Sequence, residues 1–373
     1  MSRLARSALR RVRPGTAAAA AVTAALGLCL LQPTATAGPG VPDDRGRPAD
    51  VSVLSGRWTI PWAIGFLPDG RRALVTERRT AAVWVQGSDG SRHKAGTVPD
   101  TVVVSPAGGS GSGGLLGVAP SPTWNGTTDR DVFFVHTAAR DLRVAKMHFD
   151  GTSLSDYTVV LGGITRLGDH NGGRIAFGPD GYLYVTVGDA YHPRLAQDKD
   201  SPNGKILRIT RTGDAAPGNP FGTRVYSLGH RNPQGLVWDD RGRLWETEIG
   251  DSDADELNLI EPGGNYGWPL CEGPCSRAGL TDPKKVWKPS EGGVPAQLAV
   301  VRDVLYVTTL RGQRLWALPI KGSGEEVGTA RAYYSGVYGR LRALAKVPGA
   351  DELWLGTTDG GDERDRLLRI TIR

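Results

Sequence analysis

The sequence predicts an all-β fold, a single six-bladed propeller, on three observations. Of its 373 residues, 52 are glycine and 25 proline, while only two are methionine; turn residues recur throughout and long helical periodicity is absent. A unit of one apolar strand, a Gly or Asp turn and a second apolar strand repeats six times. The units are spaced by roughly 50–60 residues, which suits propeller blades better than a helical solenoid. A sandwich or a pair of barrels is the competing architecture.

The units can be followed along the chain. The first covers 62–70 and 73–76, and the third covers 173–181 and 182–186, with Pro68-Asp69-Gly70 matched by Pro179-Asp180-Gly181. Four weaker copies cover 114–118 with 132–135, 235–238 with 244–245, 296–300 with 305–307, and 341–345 with 353–355. Inner strands covered on both faces by neighbouring blades should read as unbroken apolar runs, as these do. The last strand, 367–372, is expected to pair with an early strand near 51–54 and close the ring, which protects the sheet edges.

The beginning of the chain differs in composition. Arg3, Arg6, Arg10, Arg11 and Arg13 precede a run rich in Ala, Leu and Val, and Ala35-Thr36-Ala37 forms a small-x-small pattern. This reads as a secretory signal over 1–37; a membrane anchor is the alternative, near the short limit for a span. Residues 38–50, rich in Gly, Pro and Asp, read as a flexible leader, and 51–373 as the propeller. Five of the 45 Lys and Arg residues and none of the 39 Asp and Glu residues fall in 1–37, so the remainder is close to electrical balance. That excludes a nucleic-acid reading based on charge, and no stable membrane insertion is expected once the signal is removed. Cys271 and Cys275 remain, and in an oxidising compartment they suggest a small disulfide loop; free thiols or a metal pair are the alternatives.

Polar clusters interrupt the apolar repeat in loops beside the first strand of a blade. Asp169-His170-Asn171-Gly172-Gly173-Arg174 precedes the third unit, and Gly188-Asp189 ends its paired strand. A carboxylate beside an imidazole can orient it as a general base, but a structural histidine stays equally open here. The stretch 229–235, with His230, Arg231 and Asn232, precedes the fourth unit. The acidic loop 248–256 follows it, and is either a source of oxygen ligands for Ca²⁺ or a solvated turn. Arg311, Arg340 and Arg342 lie in the last two blades. Arg340 and Arg342 alternate on one face of a strand and call for anions, supplied by a ligand or by internal partners such as Asp189 or Asp255.

Taken together, these segments resemble the soluble quinoprotein aldose dehydrogenases of the glucose/sorbosone dehydrogenase family. The resemblance runs from Trp62 to Ile370 and rests on 170–174, 229–235, Asp255-Glu256-Leu257-Asn258-Leu259-Ile260 and Gly263-Gly264-Asn265-Tyr266-Gly267-Trp268-Pro269. It implies a propeller that binds pyrroloquinoline quinone (PQQ) and Ca²⁺ on its axis and oxidises a small aldose to a lactone, with an external electron acceptor. By the same resemblance His170 is the catalytic base and Asp189 its partner. Arg231 and Asn232 address the quinone oxygens, and the carbonyls of Gly250 and Asp251 ligate the Ca²⁺. Arg340 and Arg342 lie beside the cofactor, Arg311 over it and Trp287 along its flank, while Ser112 and Asp255 are placed on the substrate side. Three positions depart from the family pattern: Ser112 stands for a Gln or Glu, Ile249 for a polar residue and Asp251 for a Pro. The segment after Trp287 departs as well.

Two other function classes fit parts of this pattern. A propeller that only binds a carbohydrate or protein would suit Ser112 and Ile249. A calcium-dependent lactonase would need several side-chain carboxylates or amides converging on the metal, and the acidic loop is the one rich source of them.

Overall fold

A computed structural model describes residues 46–373 apart from 105–111, 292, 323, 360 and 361. The signal expected in 1–37 and most of the leader expected in 38–50 lie outside the described residues. Six antiparallel sheets, each of four strands or, in one case, five, form the blades of the propeller. The innermost strands, in chain order, are Pro61–Phe66, Leu115–Pro120, Ile175–Phe177, Pro233–Trp238, Pro295–Val301 and Leu341–Lys346. They fall on the six repeat units read from the sequence. Among the described residues no helix is long and apolar enough to cross a membrane.

The first blade runs outward from Pro61–Phe66, and the sixth closes the ring. Its inner three strands are Leu341–Lys346, Glu352–Thr357 and Asp365–Ile372, and its outermost strand is Pro48–Trp58. Val51 pairs with Ile370 and Val53 with Leu368, so the expected closure is the observed one. The strand starts three residues inside the stretch read as leader. Pro48 pairs with Ile372, and the backbone N–H of Arg47 donates to the carbonyl of Arg373, so this end of the leader belongs to the blade.

Packing between neighbouring blades explains the apolar runs. Phe133, Phe134, Leu74, Leu115 and Leu183, from the first three blades, all lie in one fully buried cluster. Burying one such side chain contributes about 1.5–3 kcal/mol. A second cluster joins blades five and six through Val301, Tyr306, Leu355 and Ile370.

Strand direction decides where polar loops collect. In an up-and-down blade the segment before the first strand and the segment between the second and third strands lie at the same end. In blade four those segments are 229–232, ahead of Pro233–Trp238, and 249–254, between Leu244–Glu248 and Asp255–Ile260. The chain then makes a long excursion before the outer strand Lys285–Trp287. On the way, Asn265 forms a parallel bridge with Leu228 of blade three, and the N–H of Trp268 donates to the carbonyl of Gly229. This climb alongside blade three returns Trp268 and Glu272 to the end where the polar loops meet.

Candidate functional site

A cavity of about 290 Å³ lies where these loops converge. His170, Arg231, Asn232, Gly250, Arg340 and Arg342 line it, together with Ser112, Asp251, Asp255 and Arg311. Six segments far apart in sequence therefore share one space. Asp189 stands directly behind His170. Trp287 and the two cysteines, also singled out in the sequence, are not among the lining residues.

His170 Nδ1 is 2.8 Å from Asp189 Oδ1, with both side chains buried. The same Asp189 oxygen accepts from the N–H of Tyr191 at 2.9 Å, and Oδ2 accepts from Trp268 Nε1 at 2.8 Å. The carboxylate is thus held on both oxygens, which fixes the imidazole it faces. The Tyr191 ring stacks on the imidazole at 3.9 Å between centroids. The backbone here is unusual: His170, Ala190 and Tyr191 have φ of 53°, 49° and 58°. Left-handed non-glycine residues are uncommon, and three together mark a segment held by its surroundings. Gly188 permits the close approach, because a Cβ there would sit 2.0 Å from the His170 carbonyl oxygen.

Arg231 faces the acidic loop. Its guanidinium donates to the Gly250 carbonyl and, at 2.7 Å, to Asp251 Oδ1, and it lies 5.4 Å from the Trp268 ring centroid. The backbone N–H groups of Arg231 and Asn232 both donate to Glu248 Oε1. Asn232 Oδ1 accepts from the N–H of Gly172 at 3.2 Å and from Gln234 Nε2 at 3.0 Å, so blades three and four are tied together beneath the cavity.

The far wall is cationic. Arg342 is buried, donates to Gln234 Oε1 at 3.1 Å, and has an Nε with no hydrogen-bond partner among the described residues. Burial, then repulsion from Arg78, Arg174 and Arg340, pushes its guanidinium well below the usual arginine range. Beneath it Arg174 stacks on Trp62 at 4.1 Å and is pushed down to about 9 by burial alone. Arg340 and Arg342 form no ion pair with Asp189 or Asp255 among the described residues. Asp169, on the same cavity, offsets part of the repulsion at Arg342, and the remaining positive charge favours an anionic ligand. A ligand carrying several carboxylates, as PQQ does, fits this wall and its unpartnered donors.

The acidic loop offers oxygen: the Gly250 carbonyl and the Asp251 carboxylate and carbonyl. An all-oxygen set of this kind suits a hard cation such as Ca²⁺. Asp255 holds two backbone segments of the cavity wall. Its Oδ1 accepts from the N–H of Gly250 at 3.0 Å and its Oδ2 from the N–H of Val294 at 2.6 Å, so it braces the wall of the cavity that it lines. Ser112 is buried against the cavity, its Oγ 3.4 Å from Asn171 Nδ2. Trp287 does not flank the cavity. It is packed in the apolar cluster of blades four and five with Trp245 and Leu298, and stacks on Trp316 at 6.4 Å. Cys271 and Cys275 form a disulfide.

The sequence reading missed Asp169 and Gln234 as cavity residues, although both stand inside the motifs it singled out. It also gave no role to Trp268 or Glu272.

The sequence profile of the glucose/sorbosone dehydrogenase family matches residues 58–369. This chain belongs to that family. An uncharacterized protein of Synechocystis is 35% identical over 267 residues, 62% of this chain. The aldose sugar dehydrogenase YliI of Escherichia coli is 31% identical over 251 residues, 63% of this chain. Quinoprotein glucose dehydrogenase B of Acinetobacter calcoaceticus is 31% identical over 260 residues, 60% of this chain. The matches span 64%, 66% and 53% of those relatives' own lengths. Among solved structures, the PQQ-bound aldose sugar dehydrogenase of Streptomyces coelicolor is 40% identical with a TM-score of 0.78, over 88% of this chain and 100% of that one. The soluble aldose sugar dehydrogenase of Escherichia coli in its apo form is 25% identical with a TM-score of 0.74, over 87% of this chain and 99% of that one.

Proposed function

We propose that this protein is a PQQ- and calcium-dependent aldose dehydrogenase that oxidises a sugar at its anomeric carbon to the lactone. The observation that carries the reading is the sharing of one cavity by the His170–Asp189 pair and an arginine wall in which Arg340 and Arg342 have no ion-pair partner among the described residues. Neither half alone implies this chemistry. Together they offer a base beside the seat of a polyanionic redox group.

Each residue then has a task. Arg340 and Arg342, with Arg311 at the mouth, pair with the cofactor's carboxylates, and Arg231 and Asn232 address its quinone oxygens. The Gly250 and Asp251 carbonyls hold the cation. Bound there, PQQ supplies the two-electron acceptor that amino-acid side chains lack. His170 takes the proton from the anomeric hydroxyl through Nε2, because Nδ1 is turned to Asp189. Asp189 fixes that tautomer and stabilises the imidazolium that forms. Positive charge from Arg231 stabilises negative charge as it develops nearby, in a site already organised for it. The electrons leave to an external acceptor. Ser112, shorter than the Gln or Glu of the family pattern, widens the substrate side. Export of the protein is part of the proposal and is supported by the basic and apolar character of 1–37.

Reconstitution tests the reading. Protein stripped with a chelator is given PQQ, Ca²⁺ or both, and dye reduction is followed with a panel of aldoses. Activity is expected only with both. Failure to bind PQQ in the presence of Ca²⁺ would sink the quinoprotein reading. Binding of PQQ without oxidation of any sugar, sugar alcohol or aldehyde would favour a binding propeller.

A further inference from the structure

The loop that presents Gly250 and Asp251 is shaped by one carboxylate. Glu272 Oε1 accepts four consecutive backbone N–H groups, those of Asp251, Ser252, Asp253 and Ala254, at 2.7, 3.0, 2.9 and 2.9 Å. A trans peptide unit is planar and its C=O points opposite to its N–H. The N–H of Asp251 shares a unit with the Gly250 carbonyl, and the N–H of Ser252 with the Asp251 carbonyl. Turning those two N–H groups toward Glu272 therefore turns those two carbonyls away from it. The Gly250 carbonyl does face the cavity, where Arg231 donates to it. Gly250 has no room for a side chain, since a Cβ would lie 2.6 Å from Glu272 Oε1 and 1.9 Å from the Ala254 carbonyl oxygen.

Glu272 is itself clamped. It follows Cys271 inside the Cys271–Cys275 bridge. The next residue, Gly273, donates its N–H to Glu256 Oε1 at 2.7 Å, and the N–H of Cys275 donates to Asp282 Oδ1 at 2.7 Å. A carboxylate that gathers several backbone N–H groups is a fixed anion in a nest, and its position dictates the backbone around it.

We propose that Glu272 is the positioning residue of the cation cradle, and that the Cys271–Cys275 bridge holds it in place. The inference rests on the calcium reading above and deepens it. Glu272 does not ligate the metal; it sets the direction of the two carbonyls that do.

The experiment compares Ca²⁺ binding, by calorimetry with and without PQQ, in the wild type and in Glu272→Gln. A parallel arm follows hydrogen exchange of the amides of 251–254 with no metal present. Loss of a residue that orients metal ligands lowers metal affinity about 10–100-fold. That loss is expected in Glu272→Gln, with faster exchange at 251–254 and unchanged exchange in the blade strands. Glu272→Asp, which keeps the charge but shortens its reach, serves the same test if the Gln variant does not fold. The double variant Cys271→Ser, Cys275→Ser is expected to lose affinity in the same direction, by less. Equal affinity in Glu272→Gln and wild type overturns the inference and leaves the dehydrogenase reading standing. Equal affinity in the double variant overturns the role of the bridge. A wild-type protein that binds no Ca²⁺, with or without PQQ, overturns the calcium reading and this inference together.

Discussion

Replacing Asp189 with Asn removes one acceptor and inserts a donor at the centre of the His170 support. Asp189 accepts three hydrogen bonds: from His170 Nδ1, from the N–H of Tyr191 and from Trp268 Nε1. The amide has one oxygen. If that oxygen faces His170, its NH₂ meets the Trp268 N–H donor to donor. If the NH₂ faces His170, Nδ1 must accept, the proton moves to Nε2 and the base is blocked. Either orientation leaves a buried N–H without an acceptor, which costs about 1–3 kcal/mol of stability. The second, which matches the Trp268 donor, also removes general-base catalysis worth roughly 10²–10⁴-fold in rate. A thousandfold loss corresponds to about 4 kcal/mol on the barrier. The assay is steady-state dye reduction by protein reconstituted with PQQ and Ca²⁺, beside a direct measurement of PQQ binding. The expected result is a large fall in kcat with PQQ affinity kept. A variant with full kcat, or one whose whole defect is weak PQQ binding, would refute the reasoning.

Other outcomes follow from the same structure. Arg342→Met removes a buried charge that has no ion pair among the described residues and is repelled by Arg78, Arg174 and Arg340, so the apo form should gain up to about 1–4 kcal/mol while losing PQQ affinity; a lower melting temperature of the apo form would contradict this. Buried acids set a pH dependence. The Glu256 carboxyl is pushed up to about 7 by burial and then by repulsion from Glu248, and Glu246 is raised by the same two causes. Between the ordinary value of 4.5 and about 7 the folded chain binds more protons than the unfolded one, so this contribution makes stability fall as pH rises and level off above the folded value. Melting of the apo-protein across that range should show the decline, and Glu246→Gln should flatten it; stability contributed in the opposite sense by Glu246 would overturn the assignment. Intact mass before and after reduction should differ by one bridge, and labelling of both Cys271 and Cys275 in the unreduced native protein would contradict it.

What could be read from the sequence was what repeats or lies close along the chain. Trp62 to Gly70 and Gly173 to Gly181 gave the blade because the same packing problem is solved six times. His170 and Asp189 are 19 residues apart, one on each side of a single hairpin, so their meeting follows from blade geometry alone. Trp268 and Glu272 were out of reach for a different reason. They are carried to the site by a return path beside blade three, a contact between blades that leaves no periodic trace. Trp287 sits next to Asp255 in the strand register, yet its side chain turns into the packing between blades four and five. Proximity in sequence to the acidic loop says nothing about which face a strand residue takes. Asp255 lines the cavity, and only the structure shows that each of its oxygens also accepts a backbone N–H, from Gly250 and Val294.

The joint that closes the ring also bears on how the site comes into being. Arg340 and Arg342 stand at the start of a blade that borrows its outermost strand, Pro48–Trp58, from the opposite end of the chain. The strand Asp365–Ile372 lies between them and that borrowed strand, and contributes no residue to the cavity. During synthesis the arginine wall therefore has no finished blade to stand on until the strand Asp365–Ile372 has emerged. Five blades can assemble in order, each on its predecessor, while the sixth must wait. Readiness to accept a polyanion is thus a property of the completed circle, and a chain cut short before Asp365 would forfeit it with every cavity residue still present.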